Sequence, residues 1–135
     1  MKNRVILVLT IGFLSSCSTP SSLTPEMQAE LKEEPVVCRS VSECKTMWKR
    51  AFEFVRANAG YEIKTANDAV IATGVARRDT QSRKLSIKVT KSPIGGDRYD
   101  FKMWVWCARG ISIYRDCEMN PLETIWRAKQ YITSN

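Results

Sequence analysis

The chain has 135 residues, 21 of them Lys or Arg against 14 Asp or Glu, for a formal charge of +7, and it contains no histidine. That length allows one small domain with short extensions, and the missing imidazole excludes Ser-His-Asp and Cys-His catalysis. A positive charge of this size suits anionic partners and equally a merely solubilised surface.

Lys2 and Arg4 precede an almost wholly apolar run, residues 5–14, broken only by Thr10 and Gly12. Charge, a short apolar run and then small residues predict a signal peptide over residues 1–16. The run is too short to span a bilayer, which takes about 20 apolar residues. Leu14-Ser15-Ser16-Cys17 resembles the lipobox of bacterial lipoproteins. That resemblance implies cleavage before Cys17, a diacylglycerol on its sulfur and a further acyl chain such as palmitate on its new amino group. Ser18, where an aspartate would signal inner-membrane retention, implies delivery to the outer membrane with the domain in the periplasm. The alternative is a soluble secreted protein in which Cys17 is incidental.

Residues 17–37 hold Pro20, Pro25, Pro35, several serines and four glutamates against one lysine. Few large apolar side chains are available for burial, so the segment is expected to be a lipidated N-terminus and flexible tether. Residues 18–37 would reach about 70 Å fully extended. "EMQAELKEE" has helix-forming composition, but helices that short are marginal alone.

From Cys38 onward the chain has 18 basic and 10 acidic residues, a net +8 over residues 38–135. Ser40 and Glu43 form an S-x-x-E capping box. Val41, Cys44, Met47, Trp48, Ala51, Phe54, Val55 and Ala59 then recur at helical spacing and predict an amphipathic helix of about five turns. Gly60 reads as its left-handed stop. "YEIKTA" and "NDAVIATGVARR" follow as a strand with a bulge or turn at Asn67-Asp68. "RKLSIKVTKSP" alternates, with Leu85, Ile87 and Val89 on one side, and "IGGD" is a turn. "RYDFKMWVWC" alternates again and places Asp100, Lys102, Trp104 and Trp106 on one face. Asn120-Pro121-Leu122-Glu123 opens a second helix with a cap, a proline in the first turn and an acid behind it.

With Cys17 lipidated, Cys38, Cys44, Cys107 and Cys117 remain, and four cysteines allow three pairings. Proximity favours Cys38 with Cys44 and Cys107 with Cys117. With no histidine and no C-x-x-C spacing, neither a metal nor another cofactor is expected. Helix, three or four strands and helix, joined by short connections, predict an α+β fold over residues 38–135. It is a two-layer sandwich of an antiparallel sheet under two helices, with two short-range disulfides.

Trp48 near the start of the first helix, then "AGYEIKTANDAVIATG", two strands and a closing helix, resemble the helix-grip repeats of the BamC-type lipoprotein of the outer-membrane barrel-assembly machinery. The same pattern is similar to many small uncharacterised lipoproteins of Gram-negative bacteria. The resemblance spans about residues 41–133 and implies a scaffold that binds partners, with no catalytic residue to carry over. The paired cysteines depart from the BamC pattern.

If both helices cover the Leu85/Ile87/Phe101 face, the opposite face carries Lys84, Lys88, Lys102, Trp104 and Trp106. Exposed apolar patches of this kind mark interaction sites. The alternative is that the tether, the loop between Cys107 and Cys117 or lysine stems pack over the indoles. Asp97, Asp100, Asp116 and Glu118 are the acids nearest turns and the last cysteine, and they read as caps and solvated groups, so no enzyme is expected. The partner expected is an envelope protein; an anionic envelope polymer or lipid, lipopolysaccharide or peptidoglycan, is the alternative. Nucleic acid is not expected in this compartment.

Overall fold

The computed structural model describes residues 23–33, 35–75, 82–107 and 117–134. The expectations placed on residues 1–22, Cys17 among them, and on loop residues 108–116 lie outside these. In chain order run α1 (Pro25–Glu33), β1 (Val36–Cys38), α2 (Val41–Asn58), β2 (Ile63–Ala66), β3 (Val70–Thr73), β4 (Leu85–Gly95), β5 (Arg98–Cys107) and α3 (Pro121–Thr133). All strand pairs are antiparallel, and the sheet order is β1-β5-β4-β3-β2. The fold is α+β, with five strands rather than three or four.

Alternation along β4 and β5 sets the two layers. Leu85, Ile87 and Val89 stand opposite Cys107, Val105 and Met103, and Leu85, Ile87 and Val89 are fully buried. Ala51, Phe54 and Val55 of α2 and Ala128 and Ile132 of α3 complete that core. Both long helices therefore cover one face of the sheet. Trp48 is part of this packing: its ring lies 5.7 Å from that of Phe101 and its Nε1 donates to the Asn67 carbonyl at 3.1 Å. The Lys91 ammonium stacks on it at 5.0 Å and on Tyr99 at 5.3 Å, a contact type worth about 0.5–2 kcal/mol.

The second helix and the hairpins begin where their local chemistry says. Ser40 Oγ accepts from Glu43 N at 3.2 Å, and the Glu43 carboxylate accepts from Arg39 N at 2.6 Å. Asn120 Oδ1 accepts from Leu122 N and Glu123 N at 2.9 and 3.3 Å. Asn67 Oδ1 accepts from Ala69 N and Val70 N, which makes the Asn67-Asp68 region a tight turn and splits one expected strand into β2 and β3. Gly95 and Gly96 lie at φ 113° and 59°, the left-handed backbone that lets β4 turn into β5.

The stretch expected to be a tether is structured from Leu23. α1 lies on α3: Trp126 Nε1 and Gln130 Nε2 donate to the Glu30 carboxylate at 2.6 and 3.1 Å. The Lys129 ammonium donates to the carbonyls of Glu30 and Leu31 at 3.2 and 3.4 Å, a cation satisfying open carbonyls near a helix C-terminus. β1 then adds an edge strand, with Val36 and Cys38 buried.

Gly60 differs from expectation. α2 ends at Ala59 with extended backbone, φ −78° and ψ 144°, and the only glycines with positive φ among the described residues are Gly95 and Gly96. Gly60 is needed for close approach instead. Its N–H donates to the Leu85 carbonyl at 2.9 Å, and a Cβ there would lie 2.5 Å from the Lys84 Cβ and 3.2 Å from the Leu85 nitrogen. Gly60→Ala is expected to cost about 1–3 kcal/mol, the usual range for overpacking, read as a lower urea midpoint.

The disulfides join Cys38 to Cys44 and Cys107 to Cys117, with Cα–Cα distances of 5.0 and 5.6 Å. They are the two short-range pairs. One ties β1 to the first turn of α2, and the other ties the end of β5 to the approach to α3.

Candidate interaction surface

The face of β4 and β5 turned away from the helices is set by the same alternation that builds the core. Ser86 stands opposite Trp106, Lys88 opposite Trp104, Thr90 opposite Lys102 and Ser92 opposite Asp100. Of the five residues assigned to this face from the sequence, Lys88, Lys102, Trp104 and Trp106 are brought together. Lys84 is not in the strand. It precedes β4 with its stem against Gly60.

The indoles remain accessible, Trp104 at 45% and Trp106 at 38% of full exposure. The Lys88 ammonium sits 5.6 Å from the Trp104 ring centroid. The Lys102 ammonium is 3.7 Å from Asp100 Oδ2, and Asp100 Oδ1 is buried without a hydrogen-bond partner among the described residues. Thus both lysines have local engagements, while the two indoles are exposed. This is a flat aromatic patch with a charged margin.

The sequence pattern does not reveal what lies beside that face. β1 pairs only with Tyr99, Asp100 and Phe101. Among the described residues no strand continues along the remaining edge of β5, Lys102–Cys107. A groove of about 380 Å³ opens at this point. Lys102 and Trp104 line it from one face of the strand, Phe101 and Met103 from the other, and Leu122 and Ile125 of α3 form its far wall. Neighbouring residues of opposite faces can share one groove only at a strand edge. Leu122 is 51% exposed, so the wall is open apolar surface.

A larger cleft, about 1200 Å³, lies between the N-terminal turn of α2, β1 and the C-terminal end of α3. Arg39, Arg50, Arg98 and Lys129 line it together with Glu30 and Glu43. Arg50 donates to the Ser134 carbonyl, Arg98 to that of Gly95 and Lys129 to those of Glu30 and Leu31, so these three cations are tied to the fold.

The described acids have separate surroundings. Asp97 lies in the β4–β5 turn, Asp100 pairs with Lys102, and Glu118 Oε1 accepts from Leu85 N at 3.4 Å. Asp116 lies outside the described residues. Among the described residues no group of three or more Cys, Asp or Glu is arranged to hold a metal ion, and the four described cysteines are bonded to each other. No protein-family model, curated protein or solved structure matches this chain.

Proposed function

We propose that this chain is a lipid-anchored lipoprotein of the cell envelope, delivered to the outer membrane, that acts without catalysis by binding an envelope protein through the sheet face bearing Trp104 and Trp106. The exposure of two neighbouring indoles on the face opposite both helices carries this reading. Tryptophan is over-represented among the side chains that dominate protein interfaces, and charged rims around an apolar centre are their usual anatomy. The local engagement of Lys88 with Trp104 and of Lys102 with Asp100 favours a protein over an anionic polymer. A polymer site would present a longer run of unengaged cations, whereas one or two rim lysines suffice to meet the few carboxylates of a protein segment.

In this reading residues 1–16 are the leader and Cys17 carries the lipid. Among the described residues no helix is long and apolar enough to cross a membrane; the attachment in this reading is the lipid on Cys17. Because α1 and β1 belong to the domain, only residues 18–22 separate the anchor from Leu23. That short link reaches about 20 Å at most. The domain is held against the membrane surface rather than displayed on a long tether.

Affinity capture from detergent-solubilised envelopes tests the reading. Wild type is expected to retain a protein through high salt, and Trp104→Thr/Trp106→Thr, with an unchanged melting curve, to retain at least tenfold less. Ionic-strength dependence is the discriminator. If no protein is retained, and the domain instead binds isolated sacculi or lipopolysaccharide in a salt-sensitive manner, the anionic-polymer reading replaces this one.

A further inference from the structure

We propose that the open edge of β5 takes up an extended segment of the partner protein as a sixth strand, and that this segment alternates acidic and apolar side chains. The proposal deepens the protein-partner reading and rests on it.

The edge is built for pairing. β1 already docks on β5 in antiparallel register, Val36 opposite Phe101 and Cys38 opposite Tyr99, and then stops. The next six residues, Lys102–Cys107, are regular β-strand, and the register shift in the β4–β5 hairpin lies at Pro93–Gly95, away from them. On an edge strand, alternate residues aim their N–H and C=O groups outward, so about three of these six residues present both to a newcomer. Native sheets protect such edges with proline, bulges or charged side chains, lysine above all. Lys102–Cys107 contains no proline, and Lys102 is its only charge.

The surroundings select the side chains of the occupant. A strand laid along this edge turns successive side chains to opposite faces. One set comes to lie toward Met103, Leu122 and Ile125, the apolar lining of the groove, and these positions take aliphatic residues. The other set comes to lie beside Lys102 and Trp104 on the open face, with Lys88 paired to Trp104. These positions take carboxylates, in keeping with the net +5 of residues 23–135, 19 basic against 14 acidic. A cross-strand pair of opposite charge adds to sheet stability, and a like-charge pair subtracts from it. A second copy would set the Lys102 side of one basic domain against that of another, so the occupant is an acidic partner rather than a twin.

The test uses a dye-labelled seven-residue peptide alternating Glu with Val and Ile, blocked at both ends, measured by fluorescence anisotropy on the purified domain. Two further versions carry N-methyl groups on one or the other set of alternate amides. Strand addition uses one edge of the peptide, so one methylated version is expected to bind at least tenfold more weakly and the other about as well as the parent. Replacing Glu by Lys in the peptide, or Leu122→Glu in the protein, is expected to weaken binding by at least tenfold. Equal binding of the two methylated peptides, no binding at millimolar concentration, or dimerisation of the domain through β5 overturns the proposal. So does a captured envelope protein that is lost with Trp104→Thr/Trp106→Thr and kept with Leu122→Glu; that result leaves the sheet-face reading standing. Loss of capture with neither variant removes the sheet-face reading as well.

Discussion

Removing both disulfides at once, by alanine at Cys38, Cys44, Cys107 and Cys117, is expected to lower the free energy of unfolding by about 5 kcal/mol. The cross-links span separations of 6 and 10 residues. In the chain-entropy account, loops of that size contribute about 2 and about 3 kcal/mol. Domains of this size have about 5–15 kcal/mol in total, so the quadruple variant sits near the limit of folding. The two pairs fail differently. Without Cys38–Cys44, β1 is held only by its three-residue pairing to β5 and by the burial of Val36. Its release lengthens the open edge and exposes Phe101. Without Cys107–Cys117, the approach to α3 loses its attachment to β5. The packing of Thr124, Ala128 and Ile132, the contacts of Trp126, Lys129 and Gln130 with α1, and the Leu85–Glu118 hydrogen bond then have to hold α3. Urea titrations of wild type, each alanine pair and the quadruple variant check this. A loss below about 1 kcal/mol for the quadruple variant, well under the chain-entropy value, refutes the expectation.

Residues whose partners lie close in sequence, or whose pattern repeats, are legible from the amino-acid order alone. The Ser40/Glu43 box and the Asn120-Pro121 pair mark helix starts through bonds spanning two to four residues. Alternation in β4 and β5 separates a mainly apolar side, on which Lys91 is the exception, from a Lys- and Trp-bearing one, and a one-residue slip would exchange them. That is why Lys88, Lys102, Trp104 and Trp106 can be assigned to one face. Lys84 follows the same parity but lies before the strand begins, where Gly60 crosses it.

The features that the amino-acid order hides depend on distant contacts. α1 looks marginal because a nine-residue helix is marginal alone. It is held by Trp126, Lys129 and Gln130, nearly 100 residues further along the chain. β1 is too short to display a period. The reason for Gly60 lies at Lys84 and Leu85, on another element. That no described strand pairs with Lys102–Cys107 is a matter of strand order, and side-chain alternation carries no information on which strand is outermost. Alternation therefore places Trp104 and Lys102 on a face, and only the fold shows that they also border a groove.

Cys17→Ser is expected to abolish envelope attachment, the largest change any single substitution should produce here. In the lipoprotein reading the Cys17 thiol is the only atom that can accept the diacylglycerol, and serine has no thiolate to offer. A single acyl chain holds a protein marginally, whereas two or more hold it firmly. Loss of the acceptor is therefore nearly all-or-none. Radiolabelled palmitate should be incorporated by wild type and absent from the variant. The carbonate-washed membrane fraction should contain less than a tenth of the wild-type amount. Leu23 onward carries the folded elements, so the variant should keep its disulfides, its melting curve and its affinity for the acidic peptide. Equal palmitate labelling in the variant would remove Cys17 as the anchor. Should the variant lose its label yet remain fully active in cells, the short link of residues 18–22 would have no role. The partner would then be reached in solution rather than at the membrane surface.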